Sequence, residues 1–155
     1  VDAVENRDGY TLRHSEDVLV QSVSIAEVLG ADEELLHTLK VGSLLHDVGK
    51  IGVPDYILRK PGFLTQDEFK TMQLHPQVGE TMVQSLAPDS LSHICGVVRS
   101  HHERFDGRGY PDGLAGDEIP IAARIMAVAD SYSAMTTDRP YRRALSPREA
   151  LEKLD

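Results

Sequence analysis

Apolar residues recur every three to four positions almost throughout this chain, and no stretch alternates as a half-buried strand does. That period constrains the fold to an all-α, compact helical bundle of about six to seven helices. Its 155 residues suffice for a proper core, and 1–155 is expected to be a single domain. The chain opens on Val1 and closes on Ala150-Leu151-Glu152-Lys153-Leu154-Asp155 inside a helical pattern. It therefore reads as an excerpt of a longer protein, with C-terminal helices truncated.

A first helix is expected from Thr11 to Leu29, stopped by Gly30, with His14, Val18, Ile25 and Leu29 on one face. A second spans Asp32 to Val48, where Leu35, Leu39, Gly42 and His46 form the core stripe. Ile51 to Leu64 holds Pro54, Pro61 and Gly62 and reads as a loop. Thr65-Gln66-Asp67-Glu68 has the capping-box pattern and opens a third helix, with His75 at its end. Pro76 suits the first turn of a fourth helix, and a fifth follows Pro88 with Ile94, Val97, Val98 and His101 on one stripe. A long Gly-rich segment, Glu103 to Ile119, separates that fifth helix from the next. It exceeds ordinary connection length, which favours a functional loop. After Pro120, Ile121, Ile125, Val128, Tyr132 and Met135 share one side of a helix, while Asp130 lies among Ala123, Ala127 and Ala134. Ser146-Pro147 caps a last helix.

His46 and Asp47 are polar residues on a stripe that otherwise reads as core. Burying them alone costs several kcal/mol, so a partner is required. Two readings stand for the pair: a metal site, or an Asp47–Lys50 ion pair beside a hydrogen-bonded core histidine. The rest of the chain favours the metal. His14, His46, His75 and His101 each fall on or beside an apolar stripe, His102 adjoins one of them, and Asp130 comes from a further helix. Helix bundles build metal centres from such inward-facing residues. His37 and His93 lack this context and read as surface or satisfied histidines. Seven ligands exceed one ion's ordinary coordination, so two ions sharing the Asp47 carboxylate fit better. Mixed His/Asp ligation suits manganese, iron, nickel or zinc. Two such ions about 4 Å apart would activate a water and neutralise a phosphate. Lys50 either stabilises charge in the same cleft or is a solvated helix-end lysine.

Composition narrows the rest. A net charge of -9 argues against a DNA or RNA duplex binder. The single cysteine, Cys95, rules out an internal disulfide framework, a multi-cysteine zinc site and an iron–sulfur cluster. No apolar run approaches the ~20 residues of a membrane span, so no membrane contact is expected from this domain. A cytoplasmic location is the expectation.

His46-Asp47 with an earlier helical His14 and a distant Asp130 resembles the HD superfamily of metal-dependent phosphohydrolases. The likeness narrows with Leu44 to Pro54, His75-Pro76, His101-His102-Glu103-Arg104 and, most specifically, Asp106-Gly107-Arg108-Gly109-Tyr110-Pro111. Ile119-Pro120, Ala123-Arg124-Ile125 and Asp138-Arg139-Pro140-Tyr141-Arg142 complete a pattern similar to the HD-GYP family of bacterial cyclic di-GMP phosphodiesterases. The resemblance covers the chain from Asp8 to its end. It implies one metal on His14, His46, Asp47 and Asp130, and a second on His75, His101 and His102, bridged by Asp47. Iron or manganese would be favoured, with nickel or zinc as alternatives. Lys50, Arg139, Arg142 and Tyr110 would meet the substrate, although Arg142 and Arg143 read equally as surface charges. Gly107, Gly109, Tyr110 and Pro111 would form a rim loop that in this family docks diguanylate cyclase (GGDEF) domains; the plain reading is a glycine-rich turn. An upstream sensor or receiver domain and a homodimer are further implied partners.

The implied reaction is hydrolysis of cyclic di-GMP to the linear dinucleotide or GMP through a metal-bridging hydroxide. A non-catalytic cyclic-dinucleotide sensor or docking module, and a hydrolase of another cyclic dinucleotide, are the alternatives. One departure bears on the metals. Some members carry Glu four residues before the first histidine, where it helps hold a third metal; this chain has Tyr10 there. Two ions, not three, are expected.

Overall fold

The computed structural model describes residues 11–86, 91–138 and 143–154. Tyr10, Pro88, Arg139 and Arg142 lie outside the described residues. Within them the chain is all-α, with seven helices of seven residues or more and one four-residue turn. These are α1 (Thr11–Val28), α2 (Glu33–Leu45), α3 (Asp55–Leu58), α4 (Gln66–Met72), α5 (His75–Leu86), α6 (Ser92–Ser100), α7 (Ile121–Thr136) and α8 (Pro147–Leu154). The one β feature among them is an isolated bridge between Asp106 and Ala115, which closes the Gly-rich loop on itself.

Local chemistry sets three of the boundaries. Gly30, at φ 74°, ends α1 in a conformation that L side chains rarely adopt. Asp32 caps α2 by accepting from the Leu35 amide at 2.9 Å. Thr65 and Glu68 form the full capping box at the start of α4.

One core cluster joins Val18 and Ala26 of α1, Leu39 of α2, Val97 of α6 and Ala122, Ile125, Met126 and Ala129 of α7. A second joins Val83 of α5 with Ile94, Cys95 and Val98 of α6. Gly42 lets three helices meet: a methyl there would lie 3.1 Å from Met126 and 3.2 Å from Val97. No helix among the described residues is long and apolar enough to cross a membrane.

Five details differ from what the sequence pattern predicts. The second helix stops at Leu45 instead of Val48, and Val48–Gly52 tightens into a 3-10 turn. His75 opens α5 instead of closing the preceding helix. The stretch 51–64 contains α3, which buries Ile57. On α7 the buried face is Ala122, Ala123, Ile125, Met126, Ala129 and Ser133, while Ile121 and Val128 are exposed. Small side chains at Ala122, Ala123 and Ala129 let α7 lie close against α1, while Ile121 and Val128 face outward. Leu29, at the end of α1, is likewise exposed.

Candidate metal centre

Three imidazoles are held by one device. His46 is the C-cap of α2, His101 the C-cap of α6, and His75 follows the end of α4. Each Nδ1 lies 2.7 Å from the carbonyl oxygen three residues earlier: Ser43, Val98 and Met72 respectively. A carbonyl only accepts, so each Nδ1 carries the proton and donates it. The bond satisfies a helix-end carbonyl that has no intrahelical partner. It also leaves Nε2 as the lone-pair nitrogen, the tautomer and orientation that metal-binding histidines require.

The Nε2 atoms converge. His75 Nε2 lies 3.3 Å from His101 Nε2 and 3.3 Å from Asp47 Oδ1. The other oxygen, Asp47 Oδ2, lies 3.3 Å from His46 Nε2 and accepts from Lys50 Nζ at 2.6 Å. Asp47 thus turns one oxygen toward each half of the cluster. His14 Nε2 approaches Asp130 Oδ1 at 2.9 Å, and its Nδ1 meets Ser133 Oγ at 2.9 Å. The ligand atoms form two groups, each within 4.8 Å internally: His14, His46 and Asp130; and Asp47, His75, His101 and His102.

The electrostatics follow from burial among like and unlike charges. Burial alone would raise the Asp47 carboxyl, but the Lys50 ammonium, then His46 and His75, outweigh it and hold it well below the usual carboxylate range. Asp130 is likewise held low against burial by the His14 hydrogen bond and by His46. Burial, then His102, His46 and His75, pushes His101 well down. Burial and His75 push His102 down to about 4. His46 goes the other way, because Asp47 beside it and Asp130 outweigh its burial.

These residues fit divalent transition-metal ions. The His46 Nε2 is buried without a hydrogen bond, and His75 and His101 present lone pairs to each other with no proton to share. Such an arrangement is costly unless a cation sits among the nitrogens. His and carboxylate donors with no cysteine match the imidazole- and oxygen-binding metals.

The Asp47–Lys50 ion pair is present, and the same carboxylate lies among the candidate ligands, so the two expectations for the pair are not exclusive. All seven expected ligands are brought together, and His37 and His93 stay exposed, with ring centroids 6.4 Å apart. Tyr110 lies over the cluster, its ring 4.8 Å from that of His102. Gly109 is required for this placement, since a methyl there would overlap the His102 carbonyl and the backbone of Glu103 and Arg104.

Two residues were missed. Ser133, on the same face of α7 as Asp130 by its i,i+3 spacing, orients His14. Glu103 is buried and accepts from the amides of Asp112, Gly113 and Leu114 at 2.7, 3.1 and 3.1 Å, anchoring the Gly-rich loop. Its position beside His101-His102 was the available signal.

The HD domain family matches residues 2–155. The cyclic di-GMP phosphodiesterase response regulator RpfG of Xanthomonas campestris pv. campestris is 41% identical over 152 residues, 98% of this chain and 40% of that protein. The 3'3'-cGAMP-specific phosphodiesterase 3 of Vibrio cholerae is 40% identical over 149 residues, 96% of this chain and 32% of that protein. An HDG"Y"P protein from Bdellovibrio bacteriovorus shares the fold with a TM-score of 0.72 at 23% identity, covering 91% of this chain and 44% of the other. The chain thus spans less than half the length of these curated relatives.

Proposed function

The chain belongs to the HD domain family, and from that premise we propose that it is a metal-dependent phosphodiesterase converting cyclic di-GMP to the linear dinucleotide or GMP. The observation that carries this reading is the split carboxylate of Asp47, one oxygen facing each half of a buried His/Asp cluster. The name of the RpfG relative supports the substrate.

His14, His46 and Asp130 would hold one ion, His75, His101 and His102 a second, and Asp47 both. Iron or manganese is the proposed metal. When bound, such a pair supplies charge neutralisation for a phosphate and an activated water at neutral pH.

The chain's own residues do the rest. The Nδ1 bonds of His46, His75 and His101 fix three Nε2 lone pairs before any ligand arrives, so little reorganisation accompanies binding. Lys50 steadies Asp47 and places an ammonium beside the cluster, where a substrate phosphate gathers negative charge. Its ammonium would also help protonate the leaving oxygen. Arg139 and Arg142 are proposed to contact the dinucleotide, and Tyr110 to line its site. Lys50→Met is expected to lower kcat about a hundredfold while metal content stays at the native level. Activity within twofold of native in a metal-loaded assay would remove Lys50 from the reaction.

One turnover assay tests the function: the protein with manganese or reduced iron, given cyclic di-GMP and 3'3'-cGAMP together. Preferential loss of cyclic di-GMP is expected, and no loss of it overturns the proposal. The Vibrio cholerae relative favours one second reading, hydrolysis of 3'3'-cGAMP, which preferential loss of that dinucleotide would establish.

A further inference from the structure

The buried core is aliphatic: among the described residues no Phe or Tyr belongs to it. The chain has only three phenylalanines, and Phe63, Phe69 and Phe105 are 99%, 47% and 68% exposed. Aromatic rings ordinarily supply core area, so their exclusion calls for another use.

Phe69 is the one whose ring leads to the metal centre. It meets Tyr110 edge-on, with centroids 6.3 Å apart at 79°, and Tyr110 stacks on His102 at 4.8 Å and 32°. The three rings step outward from a metal-ligand candidate to a half-open face. The helix that carries Phe69 sharpens the point. α4 has no fully buried residue, its Glu68, Thr71 and Met72 being only half-buried, and it is fixed by its capping box and by the Lys60–Glu68 pair at 2.6 Å. Its caps and charges hold it at the rim, and core burial accounts for neither the helix nor its phenylalanine.

A cyclic dinucleotide whose phosphate reaches the His/Asp cluster carries a flat purine on the sugar next to that phosphate. A purine has two π-faces, and aromatic side chains that stack on bases do so with little regard to base identity. We propose that Phe69, backed by Tyr110, is the wall on which a nucleobase of the substrate stacks. This assigns α4 a role in affinity for the nucleoside part, and it rests on the dinucleotide reading of the site. Guanine and adenine are held alike by this wall, so discrimination between them lies elsewhere.

The test is calorimetric titration of the manganese-loaded protein with GMP, AMP and ribose 5-phosphate, the last lacking a base. Phe69→Ala is expected to weaken GMP and AMP about 5- to 100-fold and to leave ribose 5-phosphate unchanged. Phe69→Trp should restore nucleotide affinity. In turnover, KM for the dinucleotide should rise while kcat stays within twofold. Unchanged GMP affinity in Phe69→Ala overturns the proposal. So does an equal loss for all three ligands, which would mean that the change acts through Tyr110 and His102. If the native protein fails to turn over cyclic di-GMP but still binds GMP more tightly than ribose 5-phosphate through Phe69, the base wall stands and the dinucleotide hydrolase reading falls.

Discussion

Asp47→Ala is expected to leave the fold intact, strip the centre of at least one ion per chain and take turnover below detection. Asp47 is the only residue whose two oxygens face both groups of ligands among the described residues. Removing a residue that merely orients a ligand costs about 10- to 100-fold in metal affinity, and loss of a shared ligand should exceed that. The metal-free protein should suffer less. Lys50 loses its 2.6 Å partner, but its side chain is 22% exposed and can turn toward water. A stability loss of no more than about 2 kcal/mol is therefore expected. Metal content by mass spectrometry and helix content by circular dichroism separate these effects. Turnover that survives the change would show that Asp47 does not bridge.

Gly49→Ala is expected to be the most destabilising glycine-to-alanine change among the described residues. A Cβ at Gly49 would overlap the carbonyl oxygen of His75 and lie 2.5 Å from the Gly79 amide nitrogen. Both are backbone atoms of α5, so no rotamer relieves the clash. The Val48–Gly52 turn and α5 would have to separate, and His75 would leave Asp47 with them. A loss of about 3 kcal/mol or more follows, equivalent to a fall in Tm of roughly 6–12 °C. Gly96→Ala is the control: it lies in α6, and a methyl there meets nothing within 4 Å. That change should be neutral or stabilising by about 0.5–1 kcal/mol. Equal melting points for the two variants would contradict this account of the α5 contact.

The helical class was legible because period and caps are local. Thr65 with Glu68, Gly30 and the Leu35–Leu39–Gly42–His46 stripe all behave as their spacing dictates. The seven cluster residues were legible for a different reason: each is a polar group in apolar company, which is expensive enough to need a cause. The end of α2 and the start of α5 were not legible. Whether α2 stops at Leu45 depends on His46 turning back to the Ser43 carbonyl and on Gly49 meeting α5, a contact that spacing does not encode. The buried face of α7 was misread because hydrophobicity favours Ile121 and Val128, whereas close approach to α1 favours Ala122, Ala123 and Ala129. Glu103 was passed over because its partners are the amides of residues 112–114, brought back only when the loop closes at Asp106 and Ala115.

A metal titration tests the two-metal centre directly. Protein stripped by a chelator is given manganese in steps while cyclic di-GMP hydrolysis is followed. No turnover is expected in the stripped protein, and activity should rise and saturate at two ions per chain. Turnover without metal, or saturation at one or three tightly bound ions, would contradict a two-metal centre bridged by Asp47.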